Sequence, residues 1–522
     1  MSETAEVLFA RYGPRYRIYV TVVAMLGTIA TILTTTSVNV AIIDIMGTFG
    51  IGQDRAQWLS TGNLAGVTVG MLLSAWLVEN FGQRKTFIVA LFVFIGSLML
   101  AALAPNDTTL IVARIVQGVI TGIMQTLAMA TLFTVFPPGQ RGTAMGFFSI
   151  NVILGPVLGP ILGGILIEHF NWRYVFYVSI PFSVLGILLG TLVMPEREPT
   201  DKGSRFDWTG FVLLCVATAT LLTALSSGQH EGWKSDYVLR LAICSVVSLA
   251  AFVWWELRID QPLVYLRVLG SREFAAATTV SWVFGFGMFG TTYLIPLFVQ
   301  SIQKFSALEA GLLLTPGALM LAVLMPLGGY LSDRVEARTL ILIGLFGFAV
   351  STWLQEMVDA NTSFWTIAIA AAVGRGAQSM INPPLNVTAL RALSPEMVRQ
   401  GAGMINFSRQ LGGAFGVNLL SVLLDQRTAV YASALTSAQN TMTGATADLL
   451  HGVERLLAQG GAAPQLQSQG ALHFLGRVIH EQAYTMAFRD SFFAVTVVFL
   501  LAMIPAWMIG RGDKRDLVRR GR

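Results

Sequence analysis

Three arginines lie inside long apolar stretches of this 522-residue chain. Each has an amide side chain three residues away, which places both on one side of a helix. The pairs are Arg114 with Gln117, Arg375 with Gln378, and Arg409 with Asn406. A guanidinium in the middle of a bilayer costs about 2.5–3.5 kcal/mol on insertion scales. We therefore predict that these side chains line a central, water-accessible cavity for substrate or protons. The alternative is that each arginine extends to the nearer membrane surface.

Acidic residues show the opposite distribution, because no Asp or Glu lies near the middle of an apolar stretch. A cavity that holds guanidinium groups and no carboxylate cannot neutralise a desolvated cation, and an unpaired charge in a low dielectric is very costly. We therefore predict anionic, weakly acidic or neutral lipophilic substrates in preference to permanent cations.

Four aromatic residues, Trp282, Phe286, Phe289 and Tyr293, are spaced four, three and four residues apart. This spacing places them on one face of a helix. One interpretation is a cavity wall that stacks flat lipophilic compounds. The other is a face that packs against lipid or a neighbouring helix.

A glycine-rich run, LGPVLGPILGG, lies at 154–164. Its small and helix-breaking residues are Gly155, Pro156, Gly159, Pro160, Gly163 and Gly164. Glycines four residues apart let two helix backbones approach closely in a membrane, where neighbouring helices satisfy the groups that proline frees. The run predicts either a tight packing stripe alone or a kinked helix that seals one face of a moving bundle.

Two similar loops, AWLVENFGQRK at 75–85 and GGYLSDRVEAR at 328–338, each place an acid at a helix end with arginine a few residues on. We predict a cytoplasmic latch in which Glu79 pairs with Arg84 and Asp333 with Arg338. Its residues are Glu79, Gly82, Arg84, Asp333, Arg334 and Arg338.

The composition indicates a membrane protein, since 54% of residues are hydrophobic and 12% charged, against about 25% charged in soluble domains. The net charge of +5 resides in short loops and tails, which is a topology signal and not a sign of nucleic-acid binding. His451, His473 and His480 have no metal-ligand spacing, and Cys215 and Cys244 suggest no disulfide framework.

Apolar runs of spanning length number fourteen, which places both termini on one side. They lie near 18–43, 57–78, 86–104, 109–136, 143–167, 174–194, 208–226, 237–257, 274–300, 310–331, 339–357, 364–390, 401–424 and 490–510. The distribution of Lys and Arg favours cytoplasmic termini. Similar loops recur in spans one to six and nine to fourteen, so we predict two six-helix bundles that rock about a site at the membrane midplane, with two inserted helices.

The predicted regions follow from these spans. They are a cytoplasmic tail at 1–17, a first bundle at 18–200, inserted helices at 201–260, a second bundle at 261–426 and 489–511, a periplasmic loop at 427–488 and a basic tail at 512–522. The loop contains the flexible stretch AQGGAAPQLQSQG between two amphipathic pieces, near 447–458 and 471–488. It is either a docking surface for a partner or a solvated loop.

The pattern resembles the fourteen-helix EmrB/QacA-type exporters of the major facilitator superfamily. The resemblance rests on LGPVLGPILGG, which is similar to the family's antiporter motif, on ARIVQGVITG at 113–122, on TTTSVNVAIIDI at 34–45 with Thr34 and Asn39, and on INFSRQLGGAFG at 405–416. It implies an all-α membrane protein with the major facilitator fold. One departure is Thr34, where the family usually has Asp, a residue often associated with proton or cation binding. This departure leaves the coupling route open.

The resemblance implies export of lipophilic drugs driven by protons, without a cofactor, from the inner membrane. The long loop is similar to that of members that work with a periplasmic adaptor and an outer-membrane channel. The leading hypothesis is thus a drug exporter and not an enzyme. The alternatives are an exporter or facilitator of an endogenous metabolite or weak acid, and a receptor or scaffold that kept the fold without transport.

Overall fold

The computed structural model describes residues 5–196, 207–228, 231–259, 262, 266–394, 397–439, 444–461 and 463–509. The described residues form helices and connecting turns, without a strand. The helices are α1 (Ala5–Tyr12), α2 (Tyr16–Phe49), α3 (Gln53–Phe81), α4 (Gln83–Ala102), α5 (Asp107–Val135), α6 (Arg141–His169), α7 (Tyr174–Tyr177), α8 (Ile180–Val193), α9 (Trp208–Ser227), α10 (Asp236–Glu256), α11 (Arg272–Ser301), α12 (Ala307–Ser332), α13 (Ala337–Glu356), α14 (Phe364–Arg391), α15 (Val398–Ala438), α16 (Gly444–Gln459) and α17 (Pro464–Met508).

Eleven stretches among the described residues are long and apolar enough to cross a membrane. Helices α6, α14 and α15 occupy the positions of three further predicted spans but do not belong to this set. Helices α14 and α15 carry arginine and asparagine side chains, which lower their apolar content. The all-α membrane fold is thus confirmed, whereas the number fourteen is not established exactly by composition.

Helices α2 to α8 form the first group, which is held together by close backbone contacts. Helix α2 packs on α5, α6 and α8, and α3 packs along α5. A Cβ atom added to Gly118 or Gly122 of α5 would collide with the backbone carbonyl of Asn63 or Val67 in α3. Only glycine permits this approach, which is how small residues drive helix association in lipid.

Helices α11 to α15 and α17 form the second group, which is also held together by close backbone contacts at glycines. Helix α11 packs on α14, α15 and α17, while α14 also contacts α12 and α13. A Cβ atom at Gly412 or Gly416 of α15 would collide with the carbonyl oxygen of Trp282 or Phe286 in α11. This contact fixes which part of α11 is covered by α15.

The two groups meet along a few helices. Helix α6 packs on α12 and α14, and α15 packs on α3 and α5. Helices α9 and α10 pack on each other, and α9 also contacts α3. The sequence-based division into regions stays a prediction, and 512–522 lies outside the described residues.

Two helices are much longer than a membrane span requires. Helix α15 has 41 residues and α17 has 45, and α16 packs on α17. We call the end of α15, α16 and the start of α17 the hairpin. The predicted flexible stretch differs from the structure, since α17 already begins at Pro464. The hairpin marks one side of the molecule, the hairpin side; the opposite side, where α2 begins and α17 ends, is the terminal side.

Candidate functional site: a cavity between the two groups

A cavity of about 430 Å³ lies between α2, α3 and α5 on one side and α11 and α15 on the other, and one residue of α9 also belongs to its lining. Its lining combines hydroxyl and amide groups, one guanidinium and two aromatic rings, and it includes no carboxylate. The lining residues are Thr35, Thr36, Ser60, Thr61, Asn63, Leu64, Arg114, Leu222, Phe289, Tyr293, Gln410, Gly413, Ala414, Val417, Asn418 and Ser421. The volume suits a small organic molecule.

Arg114 is the charged group of this lining. Its side chain is 1% exposed, and Nη1 donates to Oε1 of Gln117 at 2.9 Å. Its Nε donates to the carbonyl oxygen of Leu59 at 3.3 Å. Among the described residues, no carboxylate forms an ion pair with Arg114. Neutral oxygens therefore orient the guanidinium without cancelling its charge, which leaves an electrostatic preference for an anion at the cavity wall.

Gln117 supports Arg114 and does not belong to the cavity lining. It is 1% exposed, and its Nε2 donates to the carbonyl oxygen of Ser97 in α4 at 3.1 Å. This bond fixes the amide so that its oxygen faces Arg114. Gln117 is thus placed as a positioning residue, while its predicted role in the pathway stays a prediction.

The aromatic face predicted on α11 is split. Phe289 and Tyr293 line the cavity, and the Tyr293 hydroxyl is 3.0 Å from that of Ser421. Trp282 and Phe286 do not belong to the lining of this cavity and stack on each other with ring centroids 5.9 Å apart, so their role as a cavity wall stays a prediction. The physical reason that they do not line this cavity is the glycine contact described above, which seats α15 directly over this part of α11.

Arg375 and Arg409 also do not belong to the cavity lining. Arg375 donates to Oγ1 of Thr292 at 2.8 Å and to Oε1 of Gln378 at 3.5 Å. Arg409 donates to Oδ1 of Asn406 at 2.5 Å. Of the three arginines, only Arg114 lines this cavity, and the pathway roles of Arg375 and Arg409 stay predictions.

Asp333, at the end of α12, contacts the other group of helices on the terminal side. Its carboxylate accepts hydrogen bonds from the backbone N–H groups of Gly142 and Thr143, at 2.7 and 2.9 Å, at the start of α6. The Thr143 hydroxyl also donates to it at 2.9 Å. Burial raises the pKa of Asp333 above its ordinary value, while these bonds act in the opposite direction. Asp333 thus joins the two groups through a helix N-terminus.

Two further contacts lie on the same side. Gln400 of α15 donates to Oε1 of Glu79 at 3.1 Å, and Arg391 of α14 donates to the carbonyl oxygen of Pro138 at 3.1 Å. Each joins one group to the other. The molecule is therefore closed on the terminal side, and the cavity lies toward the hairpin side.

The predicted pairing of Asp333 with Arg338 is wrong. Arg338 donates to the carbonyl oxygens of Trp507 and Ile509 at the end of α17. Arg334 instead stacks over the Tyr330 ring at 4.1 Å. The two loops look alike in sequence, but only the structure reveals that the carboxylate of the second loop faces the start of α6.

The first loop also reaches beyond itself. Arg84 donates to the carbonyl oxygen of Met194 at 2.9 Å and forms an ion pair with Glu196 at 3.5 Å. Gly82 has a φ of 82°, a conformation that side-chain-bearing residues rarely adopt, and separates α3 from α4. The roles of these residues in a latch stay a prediction.

Thr34 is fully buried, and its hydroxyl lies 2.5 Å from that of Ser179. A neutral hydroxyl pair thus occupies position 34, where the resemblance to the exporter family led us to expect an aspartate. The side chain of Asn39 lies outside the described residues.

The glycine-rich run packs α6 against α2. Thr36 donates to the carbonyl oxygen of Gly155 and Ser37 to that of Gly159, both at 2.8 Å. A Cβ atom at Gly163 would lie 3.0 Å from the carbonyl oxygen of Ser37, whereas the space at Gly164 is open. The packing interpretation of the run accounts for these contacts. Pro156 and Pro160 lie within α6, and their side chains lie outside the described part.

Sequence reasoning missed most of the polar lining. On α15 the signal was available, because Gln410, Gly413, Val417 and Ser421 recur at helical spacing. On α2 and α3 the signal was weaker, since hydroxyl groups in a membrane helix commonly bond to their own backbone.

The chain is similar in sequence to bacterial proteins named for drug export and drug resistance. The multidrug export protein EmrB of Haemophilus influenzae is 27% identical over 492 residues, covering 94% of this chain and 95% of that protein. The lincomycin resistance protein LmrB of Listeria monocytogenes is 28% identical over 383 residues, covering 73% and 81%.

Among solved structures, the proton:xylose symporter XylE bound to 6-bromo-6-deoxy-D-glucose superposes with a TM-score of 0.62 at 15% identity, covering 96% of this chain and 97% of that one. This likeness concerns the fold. The family model of the Major Facilitator Superfamily matches residues 24–417. The chain therefore belongs to the Major Facilitator Superfamily of transporters.

Proposed function

We propose that this transporter exports lipophilic drugs or other toxic small molecules, with a preference for anionic, weakly acidic or neutral compounds. The observation that supports this proposal most directly is Arg114, buried at the wall of a 430 Å³ cavity whose lining contains no carboxylate. The relatives named for multidrug export and lincomycin resistance support the direction of transport and the broad substrate class.

The substrate class follows from the lining. A carboxylate or sulfonate placed near Arg114 would exchange hydration for a charge-assisted hydrogen bond. Phe289 and Tyr293 offer aromatic faces, while Ser60, Thr61 and Asn418 offer hydrogen bonds. An aromatic acid with additional polar groups uses all three features, whereas a permanent cation would face Arg114 without a counter-charge.

Export by alternating access requires that the two groups rock about this cavity. We place the terminal side in the cytoplasm and the hairpin in the periplasm of a bacterial inner membrane, so the cavity of the described conformation would lie toward the periplasm. We also propose that transport of the substrate is coupled to movement of protons. The proton carrier is unassigned, because Thr34 and Ser179 form a neutral pair where a titrating group would be expected.

The hairpin is proposed to contact a periplasmic adaptor of a tripartite pump, together with an outer-membrane channel. Apolar side chains on α16 and α17 support this idea: Leu456, Leu466 and Leu472 are 69%, 58% and 56% exposed. Cross-linking in cells through a photoreactive residue at Leu472 tests it. A product with an adaptor supports the assembly, and its absence under conditions of active efflux would remove this part of the proposal.

The decisive experiment is transport by proteoliposomes of a panel containing salicylate, a neutral aromatic amide and a quaternary ammonium dye, with and without a pH gradient. We expect gradient-driven transport of salicylate and the amide, and loss of salicylate transport in Arg114→Gln with normal membrane insertion. The charge-retaining variant Arg114→Lys is the matched control. Strong transport of the dye with none of salicylate would refute the proposed substrate class.

A second candidate is an exporter or facilitator of one endogenous metabolite or weak acid. The hydroxyl- and amide-rich lining favours it, because such a lining specifies hydrogen bonds and not only lipophilicity. A facilitator would equilibrate salicylate equally well without a pH gradient, whereas a proton-driven exporter would concentrate it only with one.

A further inference from the structure

A second guanidinium, that of Arg409, is buried between the cavity and the closed terminal side. Its side chain is 3% exposed, and it donates to Oδ1 of Asn406 at 2.5 Å and to Oδ1 of Asn382 at 3.4 Å. Within the described part of the chain, no carboxylate pairs with it. Burying a charge among neutral groups alone costs desolvation free energy. This cost suggests that Arg409 has a function in another conformation.

The face of α15 that lines the cavity continues to Asn406, the hydrogen-bond partner of Arg409. Gln410, Gly413, Val417 and Ser421 line the cavity, and Asn406 lies one helical turn below Gln410 on the same face. In this conformation Nδ2 of Asn406 contacts Sδ of Met129, across the interface in α5, at 3.3 Å. The face that forms the cavity wall thus passes into the closed interface.

The same interface is tight one turn further along. A Cβ atom at Gly403 of α15 would lie 2.7 Å from the carbonyl oxygen of Met71 in α3. If the terminal side opens, these backbones separate, and the face that carries Gly403 and Asn406 becomes the wall of a cavity open to the other side.

Helix α14 supplies a matching polar stripe. Gln378, Asn382 and Asn386 follow each other at intervals of four residues, and each is at most 2% exposed. Nε2 of Gln378 and Oδ1 of Asn386 are buried without a hydrogen-bond partner. Buried polar groups are rarely left unsatisfied, so these atoms point to a ligand or water in another state.

We propose that Arg409, with Asn382, Asn386 and Asn406, forms a second anion site that opens to the terminal side and binds the carboxylate or sulfonate of the substrate. This inference rests on the proposed function and assigns its cytoplasmic entry site. Met129, which contacts Asn406 of this site, lies fifteen residues beyond Arg114 on α5, or about 22 Å along that helix. The two arginines therefore serve opposite sides of the membrane.

The geometry explains how one site closes as the other opens. In the described state the amide oxygen of Asn382 accepts from Nη1 of Arg409, and that of Asn406 accepts from Nη2. Separation of α15 from α5 frees the Asn406 amide from Met129 and lets an anion replace an amide oxygen. A carboxylate binds a guanidinium through paired hydrogen bonds, which an amide oxygen cannot match.

The test uses a thiol at position 129, after Cys215 and Cys244 have been replaced by alanine. A Cβ atom added to Gly146 of α6 would lie 2.6 Å from the carbonyl oxygen of Met325 in α12. Met129→Cys is therefore combined with Gly146→Ala, which should favour separation of these helices on the terminal side. Purified protein in nanodiscs is treated with two thiol reagents of similar size, anionic 2-sulfonatoethyl methanethiosulfonate and cationic 2-(trimethylammonium)ethyl methanethiosulfonate. The ratio of the two labelling rates reports the local charge. Protection from labelling by salicylate, at a concentration on the order of 10 mM, reports binding.

We expect the anionic-to-cationic rate ratio to fall at least tenfold in Arg409→Gln and to be retained in Arg409→Lys. Salicylate should slow labelling in the parent and in Arg409→Lys but not in Arg409→Gln. An unchanged ratio, no protection, or no labelling at position 129 in any variant would overturn the second site. Failure of the parent to transport salicylate in proteoliposomes, with the ratio and protection retained, would remove the proposed function and leave the site.

Discussion

A close backbone approach between the two groups on the terminal side leads to a prediction about the conformational equilibrium. Gly142 and Gly146 of α6 face Gly329 of α12 with their backbones in contact. A Cβ atom at Gly146 would lie 2.6 Å from the carbonyl oxygen of Met325 and 3.2 Å from Cα of Gly329. Gly146→Ala must therefore separate the two helices or distort them.

The magnitude follows from this overlap. Carbon and oxygen approach to about 3.4 Å, so the helices must part by roughly 0.8 Å. Such a shift also lengthens the hydrogen bond from Gly142 to Asp333, now 2.7 Å. Overpacking of this kind costs about 1–3 kcal/mol. A cost of about 2 kcal/mol, borne only by the state closed on the terminal side, shifts the equilibrium toward the open state roughly thirtyfold.

The measurement is the distance between spin labels at Gly139 and Val335, which flank this contact in open or exposed positions. The parent, with both native cysteines replaced, should give mainly a short distance by double electron–electron resonance. Gly146→Ala should add or enlarge a long-distance population.

The matched control is Gly164→Ala, which lies on the same helix and has no neighbour within 4 Å of its added Cβ atom. It gains the same helix propensity, about 1 kcal/mol, without touching α12. Identical distance distributions for the two variants would refute the reasoning that glycine contacts hold the terminal side closed.

Two predictions concern stability within the first group. Thr34→Val leaves the buried Ser179 hydroxyl without its partner and should lower the free energy of unfolding by about 1–3 kcal/mol. Thermal unfolding in detergent measures this loss. The double variant with Ser179→Ala should recover part of it. A changed pH optimum of transport in Thr34→Val would contradict this structural interpretation. Gly159→Ala introduces a clash with the Thr36 side chain and should destabilise by about 1–3 kcal/mol without changing the spin-label distances, unlike Gly146→Ala. Equal thermal stability of Gly159→Ala and Gly164→Ala would argue against it.

Much of the fold could be predicted from sequence because apolar runs of spanning length have few alternatives in a bilayer. The exact helix count could not, since a helix such as α14 combines apolar residues with arginine and asparagine. The hairpin illustrates another limit. Glycine and glutamine around 458–470 suggest flexibility, yet most of this segment is helical because α16 ends at Gln459 and α17 already begins at Pro464.

The site was predictable only in part. Arg114 could be identified as unusual by its type and position, but its separation from Arg375 and Arg409 depends on which face of each helix meets its neighbour. Trp282 and Tyr293 share one helical face in sequence, but glycines on α15 cover the first and leave the second open. Likewise, the partner of Asp333 lies 190 residues away in sequence and cannot be inferred from its own loop.

Helix α17 has a mechanical consequence. It runs without interruption for 45 residues, or about 68 Å, from the hairpin to the carbonyl oxygens that hold Arg338. Such a rod transmits tilt from one end to the other, so any swing of its bundle during turnover must sweep the hairpin through an arc in the opposite compartment. A protein bound to the hairpin would be displaced in each transport cycle. A ligand that holds the hairpin rigidly in place would stop the cycle.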